Sequence, residues 1–408
     1  MSQESRHDDG GPAPVPPPGT AEKKYLTVRQ AAFIGVGAMV GAGIFALLGA
    51  AGEVAGAAVW LSFVIAGLVA VLQGYSFAKL GARYPSAGGL LEYVAKATGN
   101  GHFTGVTSWL TFLANAIVTA MVAVSFGSYA ASTFAGESAA WTKVFAALII
   151  LVMTGVNTVG SRLVANAQTV IVYVVLGILS VFAVVLLVNM NPSLLAPSKY
   201  PPFQDIISSV ALTFFAFLGF GIITFTAKDL AKPSRQLPRA MYLALGIATV
   251  IYVAISLGVF GTLEVDKVIS SGGTAIAVAA EPTLGRAGYW LMTVTALFAT
   301  AGATNAGLYP AAGLSERLAE TGQFPTLMAR RFKGRASNGL LIEAAVCLIL
   351  VLAIVASGAV FVTFVFTTLI HEPASIITLV GILVLSVALD YGWKHFRDTR
   401  TKHVQLTH

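Results

Sequence analysis

Ten apolar runs of roughly 20 residues, separated by short polar connectors, constrain this 408-residue chain more than any other feature. A helix rising 1.5 Å per residue needs about 20 residues to cross the ~30 Å hydrocarbon layer of a bilayer. Helices of that kind keep every backbone polar group satisfied where no water is available. The runs predict spans near residues 31–50, 57–78, 106–132, 140–159, 163–188, 206–227, 239–262, 286–314, 339–357 and 372–391. The stretch 359–370 is too short to span and is followed by His371, Glu372 and Pro373, so it reads as re-entrant or interfacial. With 56% hydrophobic and 11% charged residues, against about a quarter charged in a soluble domain, the chain is an all-α integral membrane protein whose first partner is the lipid bilayer.

Several function classes drop out. The net charge of +7 is scattered over loops rather than gathered on one aromatic-studded face, which excludes nucleic acid as a partner. Cys347 is the only cysteine and sits inside an apolar run, and the six His are dispersed, so no metal site and no disulfide framework is expected. Metalloprotease, nucleotide-binding and serine-hydrolase motifs do not occur, and no cofactor is implied; an integral membrane enzyme would need clustered His, Asp or Glu at one face. Residues 1–24, rich in Pro, Gly and charge, are expected to be a disordered cytoplasmic terminus, followed by a transmembrane domain over 25–391 and a basic cytoplasmic tail over 392–408. The first apolar run is full membrane length, so it is not a cleavable signal. With both termini inside, 21 of the 25 Lys and Arg fall on the cytoplasmic side, leaving Lys143, Lys199, Lys267 and Arg286 outside. That asymmetry favours ten spans in the cell membrane over eleven.

Two of the spans carry the same phrase. The first reads Gly41-Ala42-Gly43-Ile44-Phe45 and the sixth Gly219-Phe220-Gly221-Ile222-Ile223, and by the charge count they run in opposite senses. An inverted repeat of five plus five helices, over about 31–188 and 206–391, produces this pattern. Paired glycines in a membrane helix ordinarily permit close packing. Their occurrence at matched places in both halves points instead to discontinuous helices lining a protected polar cavity. Helix dipoles then specify the ligand. Amide groups around Ala42, Gly43 and Ile44 open the second half of helix 1 and favour an anion, while carbonyls around Phe217, Leu218 and Gly219 close the first half of helix 6 and favour a cation. An α-amino acid carries both charges. The expected substrate-binding residues are Gly41, Ala42, Gly43 and Ile44 with Ala216, Phe217, Leu218, Gly219, Phe220 and Gly221.

The chain resembles the amino acid-polyamine-organocation (APC) superfamily from Tyr25 to about Asp390. The resemblance rests on Val40-Gly41-Ala42-Gly43-Ile44-Phe45, on Tyr84-Pro85-Ser86-Ala87-Gly88-Gly89, and on Phe214-Phe215-Ala216-Phe217-Leu218-Gly219-Phe220. It extends to Lys232-Pro233-Ser234-Arg235-Gln236-Leu237-Pro238-Arg239-Ala240 and to Arg317-Leu318 with Glu320-Thr321-Gly322-Gln323-Phe324-Pro325. It implies a leucine-transporter-like fold and a permease moving amino acids or related amines by alternating access. The helix 6 phrase is most similar to the cationic branch, although Gly221 replaces that branch's Asp. The family's Glu-Leu after helix 2 and Glu-Glu after helix 6 are replaced by Lys79-Leu80 and Lys228-Asp229, which implies a different cytoplasmic gate and leaves a non-transporting sensor as an alternative.

Coupling is addressed by a few polar residues. The resemblance implies that Thr300 and Thr304 face helix 1 and, with carbonyls near Val40, offer a possible ion site; Thr in a membrane helix more often bonds its own i−4 carbonyl. Proton-coupled relatives carry a lysine seven residues after the position of Gln168, where this chain has Val175. Neutral oxygens alone suit Na⁺ better than a proton, and ion-independent exchange is slightly favoured over both. Asn115 and Asn305 are expected to bond between helices, and Glu343, early in the ninth span, is expected at the cytoplasmic interface. The oligomeric state is not specified by these features.

Overall fold

The computed structural model describes residues 25–353 apart from Glu137 and 333–335, together with Val384, Ala388 and Tyr391. The expected terminal segments, the stretch 359–370 and the tenth span lie outside the described residues, Val384, Ala388 and Tyr391 excepted.

The chain enters the bundle through a capping box. Thr27 Oγ1 accepts from the Gln30 amide at 3.2 Å while Gln30 Oε1 accepts from the Thr27 amide at 2.9 Å. Helix α1 (Val28–Ala42) and α2 (Ile44–Ala55) form the first span. The next spans are α3 (Val59–Arg83), α5 (His102–Phe134), α6 (Ala139–Val159) and α7 (Ser161–Asn189), with a short amphipathic helix α4 (Leu90–Thr98) between α3 and α5. The sixth span is α8 (Phe203–Phe215) continued by a 3₁₀ helix, Leu218–Asp229. Then come α9 (Pro233–Thr262), α10 (Val265–Ser271), α11 (Ala275–Glu320), α12 (Thr326–Ala329), a two-stranded hairpin of β1 (Arg331–Phe332) and β2 (Ala336–Ser337), and α13 (Asn338–Ala353). Gly285, at φ 64°, kinks α11 and divides a flanking helix from the eighth span.

Eight expected spans lie wholly within the described residues and are helical; the ninth is helical to Ala353, and its residues 354–357 lie outside them. Apolar periodicity did not reveal α4, α10 or the first part of α11, because these are too short or too polar to cross a bilayer.

Four spans of the first repeat pack against their counterparts in the second: α1 on the 3₁₀ helix, α3 on α9, α5 on α11 and α6 on α13. Helix α1 sits at the centre, with 31–41 wholly buried. The outer faces of α3, α6 and α7 expose Leu72, Leu148, Val181 and Val188, as lipid-facing surfaces do. A parallel bridge between Leu26 and Leu230, with the Leu26 amide donating to Asp229 O at 2.7 Å, joins the start of the first span to the end of the sixth.

Candidate functional site

The two interruptions are unequal. In the first span it is one residue wide: Gly43 (φ −77°, ψ −75°) still donates its amide to Met39 O at 2.7 Å, and Gly43 O accepts from Leu47 at 3.0 Å. Its neighbours hold it there, since a Cβ on Gly43 would lie 2.5 Å from Tyr252 Oη and 2.7 Å from Ala216 Cβ. In the sixth span the change is larger. The α-helix stops at Phe215, and the chain passes through Ala216 and Phe217 into 3₁₀ winding, which rotates each later side chain relative to an α-helical path. Tyr252 donates its hydroxyl to the freed Ala216 carbonyl at 3.1 Å.

Beside this turn lies a cavity of about 300 Å³. Its walls are Phe215, Ala216, Leu218, Gly219, Gly221, Ile222 and Phe225 of the sixth span, with Thr111, Asn115, Val118 and Thr119 of α5. Ala303 and Gly307 of α11 complete it, with Leu90 and Ala38. Its lining holds no charged side chain.

Among the residues expected to bind substrate, Ala216, Leu218, Gly219 and Gly221 line this cavity. The others do not. Phe217 and Phe220 turn away from it: Phe217 packs edge-on against Tyr252 at 5.0 Å and Phe220 against Phe77 at 5.5 Å, both within the core. Gly41 is pressed against the Ala299 carbonyl, Ile44 is buried in the core, and Ala42 is the last residue of α1. The single-residue break explains this, because α1 stays wound and presents only Ala38. Gly219 both lines the cavity and seats the sixth span on the first, since a Cβ there would meet Ala38 and Met39 at 2.8 Å. Gly221 has open space where a Cβ would stand.

The polar groups of the cavity come from α5, which the glycine pattern did not single out. Asn115 uses its amide nitrogen twice, toward Gly307 O at 2.8 Å and Glu343 Oε1 at 2.6 Å. That leaves Oδ1 as its acceptor. The buried Thr119 hydroxyl has no partner among the described residues. Their positions on one face of α5, four residues apart, were the available signal.

The corner expected to hold an ion is closely packed. Val40, Gly41, Val172, Val175 and Ala299 surround a void of about 10 Å³. Thr300 donates to Ala296 O at 2.7 Å and Thr304 to Thr300 O at 2.9 Å, the i−4 pattern of a membrane Thr. Asn305 bonds Gln168 Oε1 at 3.0 Å and accepts from Asn157 at 3.0 Å, joining three helices.

Two sequence motifs meet at the end of the bundle that carries Arg83 and Arg317. Gly89 (φ 50°) turns the chain into α4, where Ser86 accepts from Gly88 at 3.0 Å and donates to Glu92 at 3.2 Å. Glu92 receives Arg317 Nε at 2.8 Å and Nη2 at 3.2 Å, a bidentate pair linking α4 to α11. The Arg317 hydrogen bonds hold the Glu92 carboxyl below its ordinary range, against the opposing effect of its burial. Nearby, Tyr309 donates to Asp229 Oδ2 at 2.7 Å. Glu92 and Asp229 are thus the carboxylates bonded at this end, and Glu92 escaped notice because it stands in a helix too short to register as a span.

The comparisons agree with this architecture. The amino acid permease family profile matches residues 26–404. The inner membrane transport protein YbaT of Escherichia coli is 32% identical over 338 residues, covering 82% of this chain and 79% of that protein. The vacuolar cationic amino acid transporter 2 of Arabidopsis thaliana is 27% identical over 328 residues, 75% of this chain and 51% of that one. Among solved structures, MhsT in complex with L-phenylalanine superimposes with a TM-score of 0.60 at 13% identity, covering 90% of this chain and 87% of the other, so the fold is the leucine-transporter-like inverted repeat with helices 1 and 6 discontinuous. The chain is a multi-pass membrane transporter and belongs to the amino acid permease family of the APC superfamily.

Proposed function

We propose that this permease carries neutral amino acids with small to medium apolar side chains across the cell membrane by alternating access. The carrying observation is the cavity beside the sixth-span break, which offers one unpartnered hydroxyl donor, Thr119, and one amide acceptor, Asn115 Oδ1, on otherwise apolar walls. A carboxylate needs donors and an ammonium needs acceptors, so these two groups suit the two ends of an α-amino acid. The apolar remainder suits its side chain. A cationic side chain would be buried without a counter-charge, at a cost of several kcal/mol, which separates this chain from the cationic branch despite the shared helix 6 phrase. The volume of about 300 Å³ lies at the small end of ligand pockets. The end bearing Glu92, Arg317 and Asp229 is placed in the cytoplasm, with both termini, in keeping with the distribution of Lys and Arg. Domain limits of 25–391 for the transporter, and the absence of an enzymatic step, belong to the same reading.

Counterflow in proteoliposomes tests it. Vesicles loaded with a mixture of alanine, valine, leucine and methionine should take up the same amino acids in radiolabelled form, and excess arginine should not compete. Uptake of arginine but of none of the four would overturn the reading.

A further inference from the structure

A carboxyl group lies behind the cavity wall. Glu343, the sixth residue of α13, is fully buried among α5, α6 and α11, not at an interface as its place early in the span suggested. Its Oε1 accepts from Asn115 Nδ2 at 2.6 Å, and its Oε2 has no hydrogen-bond partner among the described residues. Asn115 is itself a wall of the cavity and a ligand of the Gly307 carbonyl, so one amide connects Glu343, the backbone of α11 and the substrate space.

Among the described residues, what faces the carboxyl is neutral. One turn along α13 the Cys347 thiol donates to Ala116 O at 3.4 Å. From α5 the facing group is Asn115; of the ionisable residues of that helix, His102 stands at its first position, thirteen residues before Asn115, and Tyr129 is committed to Gly273 O. Helix α6 carries Lys143 at its far end. On α11, Tyr309 is engaged with Asp229, Arg317 with Glu92, and Glu320 with Arg317. Helix α12 has no ionisable side chain. An ionised carboxylate here would be a buried charge without a cation, which costs several kcal/mol. A carboxyl at membrane depth is a functional site by default.

We infer that Glu343 is the proton-binding site of the transport cycle, carrying its proton on Oε2 and reporting its state to the substrate through Asn115. The inference rests on the transporter reading and replaces ion-independent exchange with proton symport. When the proton leaves, the carboxylate draws harder on the Asn115 amide and on any water admitted by movement of α5 against α11. Asn115 Oδ1 and the Gly307 carbonyl shift with it, so occupancy by substrate and by proton become linked. No metal ion and no lysine at Val175 are needed.

The test uses the full-length protein in proteoliposomes, with radiolabelled alanine, valine, leucine and methionine. Under an imposed gradient of one pH unit, alkaline inside, the parent should accumulate label about tenfold above equilibrium, the limit for one proton per substrate. Glu343→Gln keeps the acceptor for Asn115 and should retain counterflow while losing the gradient-driven accumulation. Accumulation by E343Q equal to the parent, or counterflow by the parent that a pH gradient does not drive, would overturn the inference. Should the parent show no counterflow at all, the substrate reading fails separately, and infrared spectroscopy decides this one. A protonated-carboxyl C=O stretch at neutral pH that disappears in E343Q supports proton binding, and its absence from the parent refutes it; the parent's spectrum suffices even if the variant does not fold.

Discussion

Gly221→Leu fills the proposed substrate space from a wall where the fold leaves room. A Cβ at Gly221 meets no atom within 4 Å, its φ is not in the left-handed region, and the position lies on the 3₁₀ helix facing the cavity. The substitution should therefore insert and fold like the parent. Four carbons, each occupying about the ~30 Å³ share of a water molecule, would remove on the order of 120 Å³. That is roughly two-fifths of the cavity's ≈ 300 Å³. Gly221→Ala removes about a quarter of that. Since one methylene in an apolar pocket is worth about 1–3 kcal/mol, or about 10–200-fold, G221A should weaken leucine relative to alanine by about tenfold or more. G221L should exclude leucine and methionine while alanine still enters. The assay is competition in counterflow, with thermal melting as a check on folding. Gly219→Val is the contrasting control: its side chain would strike Ala38 and Met39 and destabilise the junction of the two broken spans by about 1–3 kcal/mol. Parental leucine competition in a well-folded G221L would show that this cavity is not the substrate site.

Three further outcomes are expected. Glu92, held below its ordinary value of 4.5 chiefly by the Arg317 hydrogen bonds, contributes stability above that value and loses it as pH falls; melting temperature should drop on acidification below about 4.5, and less so in Glu92→Gln. Tyr252→Phe keeps the ring contacts with Phe217 and Phe63 but leaves the Ala216 carbonyl unpaired, which should cost about 0.5–1.5 kcal/mol in a denaturation midpoint and weaken substrate competition. A reporter fused at His408 should register the cytoplasm, and a signal from the opposite side would restore an eleventh span.

What could be read in the sequence was what the bilayer dictates. Apolar length located each span that the described residues reach, and the repeated glycine phrase located both interruptions, because backbone exposed in lipid is costly and leaves a compositional mark. The orientation of side chains around those interruptions was not legible. Whether Gly43 opens the helix or merely bends it depends on Tyr252, more than 200 residues away, whose hydroxyl occupies the space a side chain would need. Phe217 and Phe220 flank the turn in sequence yet face the core, since a change from α to 3₁₀ winding moves them off the face that α-helical counting assigns. Glu343 was misplaced for a similar reason. Its distance from the end of the span implied water, but α5, α6 and α11 close over it.

Under the proposed alternating access, the Glu92–Arg317 pair also sets a limit on how firmly one end of the carrier can be shut. Arg317 keeps 35% of its surface exposed, so the pair lies in the regime where an ion pair contributes at most about 1 kcal/mol. The Tyr309–Asp229 hydrogen bond, to a charged acceptor, adds about 1.5–3 kcal/mol. Together they would favour closure by about 1.5–4 kcal/mol, and with each 1.4 kcal/mol worth a factor of ten, the open form would stay populated at roughly one part in 10 to one part in 700. A carrier that must visit both states in every cycle gains from a latch of that strength: much stronger, and the reopening of this end would govern turnover; much weaker, and the route would leak.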